Sequence, residues 1–196
     1  GQGLALGNTV RNVVVKDGTL IYAAKDRPPV KIEDVNVEIA PKDGGTGAAG
    51  SAKVEGEKVT FDGVIGAAGA AGTPLKLNVD ARPLKASVTA AFKTAPARAI
   101  EGEIKAETGS LHDLLRWSGF ERVEEMQLPA GAAAISGKFK ADPALVEIDQ
   151  GTYALAAIGE GTGRIALALA GPRPKVDAKL AFKTLNLDAA TRPAAV

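Results

Sequence analysis

The sequence predicts an all-β domain, a mostly antiparallel sheet that is curved and open like a groove or half-barrel, with one short α-helix. Three observations predict it. Apolar residues recur with a period of two along most of the chain, and charged residues fill the places between them. That alternation marks strands with one wet and one apolar face. Glycine (23) and proline (11) are over-represented in the 196 residues, as a protein of many short strands and turns requires. Helical spacing occurs in one window only. The length suits a single domain over residues 1–196, and the ends, Gly-Gln-Gly and Ala-Ala-Val, read as those of a fragment of a larger protein.

Taken in order, Val10–Lys16 and Thr19–Ala24 read as a hairpin around Asp17-Gly18, a strong turn dipeptide. Lys25–Pro29 is a polar loop, because its two prolines bar a central strand. Val30–Ile39 alternates, with Val35, Val37 and Ile39 on one face. Pro41–Gly50 is rich in glycine and reads as a loop or crossover. Ser51–Val54 and Lys58–Ile65 form the next pair, turning at Gly56. Gly66–Thr73 is a Gly/Ala linker, too poor in apolar bulk for a core helix. Leu75, Leu77 and Val79 make an apolar row, Arg82-Pro83 turns the chain, and Leu84, Ala86, Val88, Ala90 and Phe92 make the next. Ile100–Glu107 follows, with Ile104 facing inward.

At Ser110 the period changes. Leu111, Leu114 and Leu115 have helical spacing, Ser110 suits an N-cap and Gly119 a stop. So short a helix is marginal alone and must dock on the sheet. Glu121–Gly131, containing Met126, is a charged excursion. Strands resume at Ala132–Lys140, Leu145–Asp149 and Thr152–Ala157. The last hairpin, Gly161–Leu187, turns on Gly-Pro-Arg-Pro, with Ile165, Leu167 and Leu169 sharing one face of its first arm. Val176, Ala178, Leu180 and Phe182 share one face of the second. A loose motif recurs at Gly102, Gly137 and Gly163: polar, Gly, charged, bulky apolar. Glycines inside strands mark bends, and repeated bends curl a sheet into a trough.

The residues offer little chemistry. Lysine and arginine (24) balance aspartate and glutamate (23), and aromatics are 4% of the chain, so nothing holds nucleic acid electrostatically or by stacking. The absence of cysteine excludes disulfides, thiolate zinc sites and thiol catalysis. The one histidine, His112, has no sequence partner and reads as a surface residue of the helix. Glu33 and Asp34 would point to opposite faces of a regular strand and cannot share one reaction centre. The glycines of Gly159–Gly163 lack the lysine and following helix of a phosphate loop. Trp117 reads as a packing anchor. No catalytic residue, metal site or cofactor is expected, and the protein is not expected to be an enzyme.

Several stretches in order resemble the AsmA family of Gram-negative envelope proteins. They are Val15-Lys-Asp-Gly-Thr-Leu-Ile-Tyr, Ile32–Ile39, Gly50-Ser-Ala-Lys-Val, Glu101-Gly-Glu-Ile-Lys and Leu111–Gly119. Ser136-Gly-Lys-Phe-Lys-Ala-Asp-Pro and the ending from Gly161 through Pro172-Arg-Pro-Lys-Val to Leu185-Asn-Leu-Asp complete the set. The Gly/Ala-rich stretches at Pro41–Gly50 and Gly66–Thr73 depart from the pattern, where apolar residues are expected. The resemblance implies a periplasmic segment of a protein anchored in the inner membrane by an N-terminal helix absent here. It implies a β-groove that assists phospholipid transport between membranes and outer-membrane biogenesis, with acyl chains and other envelope proteins as partners. The groove lining expected from the apolar rows is Leu77, Val88, Phe92, Ile104, Phe139, Ile165, Leu167, Leu169, Leu180 and Phe182. The competing expectation is a spacer or docking module whose apolar rows close into a β-sandwich core.

Overall fold

The computed structural model describes residues 12–22, 30–94, 98–119, 123, 131–169, 175–183 and 185–186. The loop at 25–29, most of the charged excursion with Met126, and the Gly-Pro-Arg-Pro turn lie outside these residues. Eleven strands form one antiparallel sheet in which spatial order equals chain order. They are β1 (Val13–Tyr22), β2 (Val30–Lys42), β3 (Gly45–Val54), β4 (Glu57–Ile65), β5 (Thr73–Ala81) and β6 (Leu84–Lys93). β7 (Ala99–Thr108), β8 (Ala133–Ala141), β9 (Leu145–Leu155), β10 (Gly159–Ala168) and β11 (Lys175–Phe182) complete the sheet, and helix α1 (Leu111–Trp117) joins β7 to β8. β1 and β11 do not pair, so the sheet stays open. Among the described residues there is no second sheet, so the sandwich core does not form.

Two hairpins turn on residues with positive φ at both central positions, Asp43-Gly44 (50° and 75°) and Glu55-Gly56 (48° and 80°). That backbone twists with the strands it joins. The first corrects the sequence reading of Pro41–Gly50 as a loop: β2 runs to Lys42 and β3 starts at Gly45. The expected hairpin at Asp17-Gly18 is likewise corrected. β1 is one strand carrying a bulge there, with Asp17 at φ 50° and its N–H donated to Asn36 Oδ1 at 3.2 Å. Leu145–Asp149 and Thr152–Ala157 merge into β9, interrupted by a bulge at Gln150 (φ 50°). Of the Gly66–Thr73 linker, Thr73 opens β5 and the rest is a turn closed by hydrogen bonds between Gly69 and Gly72.

Cross-strand register sorts the side chains into two faces. One row runs Ile65, Leu75, Ala90, Gly102, Phe139, Ile148, Ile165, Ala178 across eight neighbouring strands. The alternate rows carry Lys76, Lys85, Glu101, Glu103, Lys138, Lys140, Glu147 and Arg164. Burial follows the alternation, with half-buried and exposed residues alternating along β5 and most of β6. The sheet is thus one layer with an apolar and a charged face.

Glycines on the apolar face show which way it bends. A Cβ on Gly50 would stand 2.9 Å from Val37 Cα, on Gly102 2.5 Å from Ala90 Cα, and on Gly163 3.0 Å from Leu180 Cα, each nearer still to a carbonyl oxygen of the neighbouring strand. At these three places the neighbour's main chain rises into the space above the glycine on the apolar side, so the sheet bends toward that side there. The bulge at Gln150 shifts register against both β8 and β10, beside Gly137 and Gly163. Gly102 lies in an unbroken ladder, so of the recurring glycines it marks a bend and not a bulge.

α1 is capped as expected: the Ser110 side chain accepts the Asp113 N–H at 3.2 Å. Trp117 Nε1 donates to Val54 O at 2.9 Å, linking the helix to the end of β3. Ala52, Val59 and Ala81, adjacent on the apolar face at that end, are among the buried side chains. Among the described residues no helix is long and apolar enough to cross a membrane.

Candidate functional site: an apolar trough

The trough is built by register. Leu77, Val88 and Ile104 are direct neighbours on β5, β6 and β7. Phe92 faces Ile100, Phe139 faces Ile148, and Ile148 faces Ile165. Leu167 lies opposite Val176, Leu180 opposite Gly163, and Phe182 opposite Gly161. The nine expected lining residues that lie within strands share this face, and Leu169 stands just past the end of β10. Leu169 follows the last β10 pair, is 42% exposed, and donates its N–H to Ala144 O. β1 and β2 extend the same face with Val13, Val15, Ile32, Val37 and Ile39, which the candidate lining had left out. Their alternation was the available signal.

Bulky side chains pair with glycines across strands. Phe61 lies opposite Gly50, Leu77 opposite Gly63, Phe139 opposite Gly102, and Phe182 and Tyr153 flank Gly161. A large side chain beside a glycine fills the bend and leaves a smooth apolar wall. Tyr153, 5% exposed, is the exception in polarity. Its hydroxyl is buried without a well-formed hydrogen bond, and burial, reinforced by Asp149, raises its pKa above the ordinary value.

The opposite face is a charged ribbon. Lys93 and Lys140 both pair with Glu101, and Arg164 clasps Glu147 with Nε to Oε1 at 2.7 Å and Nη2 to Oε2 at 2.9 Å. Hydrogen bonds from these cations hold Glu101 and Glu147 below the usual carboxylate range. A depression of about 700 Å³ opens on this side, between Lys93, Glu101, Lys138, Lys140 and Glu147. It is a gap between long surface side chains, and the trough is a broad surface of another kind.

Among the described residues no group of three or more histidines, aspartates and glutamates is placed to hold a metal ion. Glu33 pairs with Lys31, and Asp34 sits in a bulge of β2 at φ 50°. His112 lies half-buried on α1. Gly159–Gly163 forms the start of β10. No protein family, curated protein or solved structure matches the chain.

Proposed function

We propose that this chain is a non-enzymatic, AsmA-type groove domain whose concave apolar face shelters phospholipid acyl chains and assists their movement between the membranes of the Gram-negative envelope. In this reading it works in the periplasm, as part of a protein anchored in the inner membrane. The observation that supports it is the continuous apolar face carried across all eleven strands, with no second sheet packed on it among the described residues. Water-exposed apolar surface on this scale marks an interaction site. Each methylene buried there contributes about 0.8 kcal/mol, so an acyl chain binds without polar recognition.

The test is native mass spectrometry of detergent-free protein mixed with vesicles of phosphatidylethanolamine and phosphatidylglycerol. The wild type should carry phospholipid. Leu167→Asp with Leu180→Asp puts two carboxylates into the trough at half-buried positions, so lipid should be lost while the circular dichroism spectrum persists. Thr89→Asp, on the charged face, should change nothing. A folded double variant that still carries lipid, or a wild type that never does, overturns the proposal.

A further inference from the structure

β1 departs from the two-face rule with exposed apolar side chains. Val14 and Ile21 point to the charged face and are 54% and 64% exposed. The other large aliphatic side chains on that face, Val64 and Leu145, are half-buried inside the sheet. Val13, Val15 and Leu20, on the apolar side of β1, are also exposed, at 40%, 36% and 57%. The strand is therefore apolar on both faces at an edge of the sheet that has no partner strand among the described residues. Edges are ordinarily guarded by charge, as β11 is by Lys175, Asp177 and Lys179.

The order of residues in β1 is nearly palindromic: Val-Val-Val-Lys-Asp, then Gly-Thr-Leu-Ile-Tyr. Reversed against itself, the strand sets Val14 opposite Ile21, Val15 opposite Leu20, Lys16 opposite Thr19 and Asp17 opposite Gly18. Val14 and Ile21 are an odd number of residues apart, so in an unbroken strand they would lie on opposite faces and this pairing would be impossible. The bulge at Asp17, fixed by its hydrogen bond to Asn36, restores them to one face.

We propose that β1 is a self-complementary edge through which two copies of this chain pair antiparallel, about a two-fold axis at Asp17-Gly18. The contact is isologous and closed. Apolar side chains meet apolar side chains on both faces. An axis normal to the sheet also leaves the two concave apolar faces on the same side, forming one wider trough. A second copy is the fitting occupant because Val14 and Ile21 need apolar neighbours on an otherwise charged face. The same pair on another molecule matches their spacing and polarity. The inference stands independently of what the trough holds.

The experiment is sedimentation equilibrium of the wild type and two double variants, each checked by circular dichroism. Val14→Lys with Ile21→Lys sets like charges opposite each other twice and should weaken the dimer by about 100-fold. Val14→Lys with Ile21→Glu sets opposite charges face to face in this register alone, and should restore most of the association. A wild type that is monomeric at every concentration overturns the proposal. A dimer indifferent to the two lysines places the contact elsewhere, and equal disruption by both double variants overturns the register.

Discussion

Replacing Gly102 by alanine tests the bend of the sheet directly. The added methyl would lie 2.5 Å from Ala90 Cα and 2.7 Å from Ala90 Cβ, against 3.4 Å for an ordinary contact. The closest contact is with Thr89 O at 2.2 Å, and to relieve it β6 and β7 must separate by about 1.2 Å (3.4 − 2.2) at a point where their ladder is unbroken. The atoms in the way are largely main chain and cannot rotate aside. Overpacking of this kind costs about 1–3 kcal/mol, or a fall in midpoint of roughly 2–10 °C for a chain of this size. The matched control is Gly109→Ala, between β7 and α1, where a Cβ meets nothing within 4 Å and φ is not positive. That change should stabilise by about 0.4–1 kcal/mol through the unfolded chain. Thermal unfolding followed by far-ultraviolet circular dichroism reads both. If Gly102→Ala melts with the wild type, the sheet is not bent toward its apolar face at that glycine, and the argument for concavity fails.

Trp117→Phe keeps an aromatic ring of smaller size and removes the hydrogen bond from α1 to Val54. A loss of about 1 kcal/mol is expected, with amide exchange accelerating in α1 and not in the central strands. Glu147→Gln tests the charged ribbon. The carboxyl is held below its ordinary value of 4.5 by Arg164, so its contribution is present above that value and is lost as acid takes the pH down through the depressed folded value. The urea midpoint of the wild type should therefore fall more steeply with acidification than that of the variant, and salt should narrow the difference.

The two-face architecture was legible because alternation needs only local composition, and Leu77, Val88 and Ile104 fall where the period puts them. The connections were less legible, and Asp-Gly shows why. The dipeptide reports a residue that tolerates positive φ. Both a hairpin turn and a bulge use that backbone, so Asp43-Gly44 turns the chain while Asp17-Gly18 only kinks it. Glycine-rich composition concealed the first part of β3, because Gly45, Gly47 and Gly50 look like a loop, although Phe61 on β4 stands opposite Gly50. Leu169 kept the period but lies past the last residue that β11 pairs, a limit set by the hairpin and invisible to periodicity.

Strand order equal to chain order has a consequence for how the molecule is made. Each strand needs only the one before it to complete its ladder, so the sheet can grow hairpin by hairpin as the polypeptide emerges, without waiting for a distant partner. The bond from Trp117 to Val54, spanning 63 residues, becomes available once β3 to β7 have emerged and before β8 to β11, and latches strands already formed. Such a chain lengthens or shortens by whole hairpins without redesign of the rest, so the reach of its surface is a quantity that evolution sets by counting.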